Sequence, residues 1–179
     1  MNPGLIRNWR GCRPLVAWAA LSLAACAGYS GRGLQPGVAT LPEIMATMGE
    51  PAMNWRDADG GVQLAYPRGP GGPHTYMVFV GPDGRLLRIE NVLDMAHFAR
   101  IRPGDNQASV LRLIGPPVPQ WTDYYQARDE LVWEWPFCDG WNQLARFDVL
   151  FDASTGIVRT SHQRQDLRGP DGVAPFCGR

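Results

Sequence analysis

The sequence predicts an α+β protein: two tandem helix-plus-antiparallel-sheet repeats behind a cleaved signal peptide. Three observations carry the prediction. The mature chain is written twice, each copy opens on a short capped helix, and each helix is followed by alternating apolar segments separated by turn residues. In the alignment of the copies, Pro36-Gly37 stands beside Pro103-Gly104 and Gly49 beside Gly115. Six residues past each of these glycines is a tryptophan, Trp55 and Trp121, with Asp57 and Asp123 two further on. Tyr66-Pro67 then matches Trp135-Pro136 after a three-residue insertion in the second copy, and residues 76–88 align without gaps onto 147–159.

Each element has a local reason. Thr40 followed by Glu43 reads as a capping box, and Pro42 is tolerated in a first turn whose N–H groups have no intrahelical partner. Ile44, Met45 and Met48 make one apolar stripe; Gly49 suits the left-handed end of a helix, and Pro51 keeps the helix from resuming. Val110, Leu111 and Ile114 repeat the stripe, Gly115 the stop and Pro116-Pro117 the block. Strand alternation follows in Tyr76, Val78 and Val80 and again in Phe147, Val149 and Phe151. The turns at 81–84 and 152–156 reverse the chain, and Asp59-Gly60-Gly61 makes an earlier hairpin. A short helix over 94–101 joins the copies. The expected organisation is a signal peptide over 1–25, a tether over 26–34, repeats over 35–93 and 102–163, and a tail over 164–179.

The N-terminus reads as a targeting segment. Residues 1–13 are basic, and residues 15–25 form an uncharged apolar run too short to span a bilayer, which takes ~20 residues. The run ends in Leu23-Ala24-Ala25-Cys26, which resembles a lipobox; Cys26 would carry the lipid and so anchor the protein to a membrane. The resemblance to bacterial lipoproteins implies export to the outer membrane, because Ala27 rather than Asp follows the cysteine. Removing the leader takes away three of the 17 basic residues and no acids, leaving 14 against 17 and a net charge of about −3. All the basic residues are arginine, and no basic run marks a nucleic-acid surface.

Cys12 would leave with the leader and Cys26 take lipid, so Cys138 and Cys177 remain as an even pair in an oxidising compartment. A disulfide is the favoured reading over a metal site. Two cysteines this far apart, with no histidine close by in sequence, lack the ligands that a metal needs.

The order of motifs resembles the SmpA/OmlA family of outer-membrane lipoproteins, which includes the BamE subunit of the barrel-assembly machinery. Met48-Gly49-Glu50-Pro51, Ile114-Gly115-Pro116-Pro117, Trp133-Glu134-Trp135 and Phe151-Asp152 carry the resemblance. It implies a structural, partner-binding role in envelope assembly or maintenance. The tandem arrangement is also similar to the architecture of β-lactamase inhibitor proteins, which implies a binder or inhibitor of a secreted or periplasmic enzyme as the alternative.

The sequence shows no catalytic constellation. His74, His97 and His162 are isolated, no GxSxG, HExxH or CxxC occurs, and the glycine-rich stretch 69–73 lacks the Lys and Ser/Thr of a phosphate loop. Asp129-Glu130 reads as a solvated loop, and Asp57 and Asp123 as turn residues. We therefore expect no enzyme activity, cofactor or metal. Trp121 and Trp135 read as packing residues matched to Trp55 and Tyr66. Tyr124, Tyr125 and Trp141, in loops of the aromatic-rich second copy, are the expected partner-binding residues.

Overall fold

The computed structural model describes residues 30–68, 72–167 and 175–177. Cys26 and the leader lie outside the described residues. The chain forms α1 (Leu41–Met48), β1 (Met53–Arg56), β2 (Val62–Pro67), β3 (Thr75–Val80), β4 (Leu86–Asn91), α2 (Met95–Phe98) and α3 (Gln107–Ile114). After these come β5 (Asp123–Tyr125), β6 (Glu130–Cys138), β7 (Leu144–Asp152) and β8 (Ile157–Gln165). Two four-stranded antiparallel sheets result, ordered β1-β2-β3-β4 and β5-β6-β7-β8. The protein is therefore α+β.

The helix ends follow local chemistry. The Glu43 carboxylate accepts from the Thr40 N–H at 2.7 Å, and the Asn106 side chain accepts from the Ser109 N–H at 2.9 Å. Gly49 (φ 82°) and Gly115 (φ 78°) stop α1 and α3, each donating its N–H four residues back, to Met45 and Leu111. A side chain from the following sheet locks each stop. The Tyr66 hydroxyl donates to the Gly49 carbonyl at 3.1 Å, and the Trp135 indole N–H to the Gly115 carbonyl at 3.2 Å. Burial, reinforced by the nearby Glu50 charge, pushes the Tyr66 hydroxyl up to about 12, so it stays a donor. Both sheets carry a register shift on the third strand, between Phe79 and Val80 and between Leu150 and Phe151.

Alternation sorts the sheet faces. In the first sheet Leu64, Tyr66, Val78 and Val80 pack on Ile44 and Met48 of α1. Ala65 and Met77, on the opposite face, join a larger core with Val110 and Ile114 of α3 and with Trp135, Phe137, Phe147, Val149 and Phe151 of the second sheet. The layers run α1, first sheet, α3 with α2, second sheet. The helix α3 is thus shared: it covers the inner face of the second sheet and the outer face of the first. Gln63 fastens it from below, its side-chain amide donating to the Arg112 carbonyl at 2.6 Å.

This seam makes the two helix stops unequal. A Cβ added at Gly49 meets nothing, whereas one at Gly115 comes within 2.8 Å of the Thr75 methyl. Neither glycine takes the expected left-handed α conformation: φ > 0 is combined with an extended ψ (−164° and −173°), a region essentially confined to glycine that costs another residue ~1–3 kcal/mol. Gly49→Ala is expected to lose about that much, and Gly115→Ala ~1–3 kcal/mol more from overpacking. Urea melts of the two variants check this; equal losses would mean that the seam relaxes freely.

Two further expectations are corrected. The joining helix is a single turn, Met95–Phe98 capped by Asp94, because residues 99–105 turn back toward α3. The tryptophans are also not equivalent in the sheets. Trp55 lies opposite Gln63 on β2, while the residue opposite Val132 in the corresponding place on β6 is Asp123. The 3₁₀ turn Pro119–Trp121 takes up two extra residues and lifts Trp121 out of the strand.

Candidate partner-binding surfaces

The β6–β7 hairpin ends in a turn built by Asp139, whose carboxylate accepts from the N–H groups of Trp141 and Gln143, both at 2.9 Å. Asn142 sits in the left-handed region at φ 58°. The tail is stitched to this tip. Cys138 and Cys177 form a disulfide, Phe176 bridges Gln143, and the Leu144 N–H donates to the Pro175 carbonyl at 2.7 Å. The Asn142 side-chain amide donates to the Cys177 carbonyl at 3.3 Å. Two aromatics project from this pinned platform, Trp141 at 83 % and Phe176 at 73 % exposure. A tryptophan left in water on a backbone with few alternatives has both the apolar area and the low ordering cost that binding hot spots need.

Tyr124 and Tyr125 are exposed as expected, but they lie on the edge strand β5 rather than in a loop. They stand opposite Leu131 and Glu130 and therefore point to opposite faces of the sheet. Arg128 lies 4.4 Å over the Tyr125 ring. Tyr125 is beside the first residue of the nine-residue β6 and Trp141 lies beyond its last. At ~3.3 Å per residue they are about 26 Å apart, so the expected residues do not make one patch.

The sequence reading missed a buried charge lattice on the outer face of the second sheet. Glu134, Asp148 and His162 form one cross-strand row, and Pro136, Arg146 and Arg164 the next. Arg146 pairs with Glu134 and reaches Asp166 at 3.4 Å, while Arg164 reaches Glu134 at 2.9 Å and Asp148 at 2.6 Å. Trp121, expected in the core, is half-buried and stacks on the Arg146 guanidinium at 4.0 Å. Burial disfavours the Arg164 cation, but its bonds to the two carboxylates outweigh that and hold its pKa up. One oxygen of Asp148, Oδ1, is buried without a hydrogen-bond partner. In strand register Glu134 and Asp148 occupy the places of Ala65 and Met77 on the first sheet. There α3 covers those places and they are apolar; on the second sheet no helix among the described residues follows, and the same places are charged. The signal was present in Trp133-Glu134-Trp135 and Phe147-Asp148-Val149, whose alternation puts an acid on the far side of each core strand.

The remaining polar residues are dispersed. His97 bonds Asp94 at 2.8 Å, and His162 lies 3.3 Å from Asp148. His74 is half-buried with an unpartnered Nδ1; desolvation, and then Arg68, lowers its pKa. Asp57, read as a turn residue, pairs with Arg112 of α3. Asp129 takes a left-handed turn (φ 47°) and Glu130 bonds Arg128 at 2.8 Å. Among the described residues no group of His, Cys, Asp or Glu could hold a metal ion. A cleft of about 350 Å³ between the halves is walled by prolines, Leu93 and Trp135 and holds no acid–base pair. No described helix is long and apolar enough to cross a membrane.

No family model matches the chain, and no curated protein is recognisably similar to it. A solved structure with which it aligns is an extracellular protein containing a SCP domain from Bacillus anthracis str. Ames, at 11 % identity and a TM-score of 0.27. The alignment covers 98 % of this chain and 56 % of that one, so the chain spans about half the length of that protein. A likeness of that degree carries no argument.

Proposed function

We propose that the chain is a lipoprotein anchored through Cys26 at the periplasmic face of the outer membrane, and that it binds another envelope protein without catalysing a reaction. The observation that carries the reading is Trp141, 83 % exposed on a hairpin tip held by a disulfide and a bridging tail. Envelope assembly or maintenance is the process implied by the resemblance to the SmpA/OmlA family. We read the body as two tandem units of that kind. The paired helix stops, the Tyr66 and Trp135 bonds onto them and the two register shifts support a duplication.

The test is recovery of partners from mildly solubilised native membranes by the tagged full chain. Trp141→Ala is expected to weaken retention of the partner by ~30-fold, equivalent to ~2 kcal/mol, the size of a hot-spot truncation. Undiminished retention would remove Trp141 from the interface. Cys26→Ser serves as the anchor arm, with loss of acyl labelling expected; persistent labelling rules out lipidation at Cys26. Recovery of a single secreted enzyme instead of envelope proteins supports the inhibitor reading.

A further inference from the structure

A second cleft, independent of the hairpin tip, lies where α2 and α3 meet the first sheet. It encloses about 290 Å³, with Phe79, Val92 and Leu113 as its apolar surface and Arg88, Arg100 and Arg112 among its polar groups. We propose that this cleft binds a small organic anion, a phosphomonoester or a carboxylate, whose apolar part rests on Phe79, Val92 and Leu113.

Among the described residues two of the three guanidiniums have a carboxylate partner and the third is free to meet an anion. The Arg88 guanidinium lies 3.5 Å over the Phe79 ring, which fixes its plane. The Arg100 backbone N–H donates to the His97 carbonyl at 3.0 Å, but its guanidinium has no ion pair or hydrogen bond among the described residues, although the mature chain is acidic overall. Arg112 is held by Asp57, and His97 is held through Nδ1 by Asp94. The His97 Nε2 then lies 4.0 Å from the Glu90 carboxylate, beyond hydrogen-bond range. Glu90 is the only acid lining the cleft, and it reaches Arg88 at 3.5 Å. With Asp57 on Arg112 and Glu90 on Arg88, three guanidiniums meet two carboxylates, an excess of one positive charge in a concave site at the junction of the two halves. Ligand sites favour such junctions, with a few convergent polar groups over an apolar floor. Glu90 is the internal competitor: its carboxylate occupies part of the place that an anion would take.

Titration calorimetry of the purified full chain with phenyl phosphate, benzoate and inorganic phosphate tests this. Saturable one-to-one binding of phenyl phosphate is expected, weakened about tenfold by Arg100→Ala and again by Arg88→Ala, in line with ~1.4 kcal/mol per tenfold step. Glu90→Gln should tighten it several-fold while the one-to-one stoichiometry is kept. Trp141→Ala should leave it unchanged, so failure here and failure of the partner-binding role are read separately. Non-saturating heats, or equal affinity in the Arg88→Ala/Arg100→Ala double variant, overturn the assignment. A response only to vesicles bearing phosphomonoester headgroups, with none to phenyl phosphate, overturns it in favour of a lipid surface.

Discussion

Replacing Arg146 with leucine is expected to destabilise the fold by ~3 kcal/mol at neutral pH, because one partner leaves a buried ion network and the others stay. The Arg146 side chain is 9 % exposed, and it faces Glu134 and Asp166, whose side chains are 8 % and 2 % exposed. Breaking such a pair costs ~3–5 kcal/mol; the lower end applies because Arg164 remains on Glu134 at 2.9 Å. Urea midpoints of the wild type and Arg146→Leu at pH 7 measure the effect. A penalty below ~1 kcal/mol would show that water screens the lattice. Replacing Glu134, Arg146 and Asp166 together with apolar residues of similar volume should cost far less than Arg146→Leu alone, since no charge is then stranded.

Cys138→Ser/Cys177→Ser is expected to cost a further ~3–4 kcal/mol. The disulfide spans a sequence separation of 39 residues and removes conformations from the unfolded chain. The same change should weaken partner retention, because the Phe176 bridge and the Pro175 contact hold the hairpin tip only while the tail is tethered. The two consequences separate by temperature: well below the melting point the body stays folded, and weakened binding then reports the loosened tip alone. Full retention in the reduced protein would mean that the turn around Asp139 suffices to present Trp141.

The readable parts of the fold were those set by chemistry a few residues wide. Thr40 with Glu43, and Gly49 and Gly115 at the helix stops, each act through groups within one helical turn; the Asn106 cap on Ser109 is equally local but was not read from the sequence. Cys138 and Cys177 were legible by elimination. The aromatics were not, because the same residue type serves core, cover and surface. Trp135 is buried with its indole on Gly115, Trp133 is half-buried against Phe151, and Trp121 shields an arginine. Nothing in the local pattern separates these cases, and the two-residue 3₁₀ insertion that displaced Trp121 is invisible when tryptophan is aligned with tryptophan.

The sequence by itself determined where helices begin and stop, which segments alternate and how the chain reverses, since those depend on φ/ψ preferences and neighbours close along the chain. Tertiary structure alone decided that α3 serves both sheets, that the second sheet's outer face carries charges where the first carries Ala65 and Met77, and that Tyr125 and Trp141 lie far apart. Those outcomes turn on register between strands distant in sequence, and on which face a helix covers. A position packed under a helix must be apolar or bonded to it, as Gln63 is, while a face with no helix over it can keep its acids and arginines if they pair with each other.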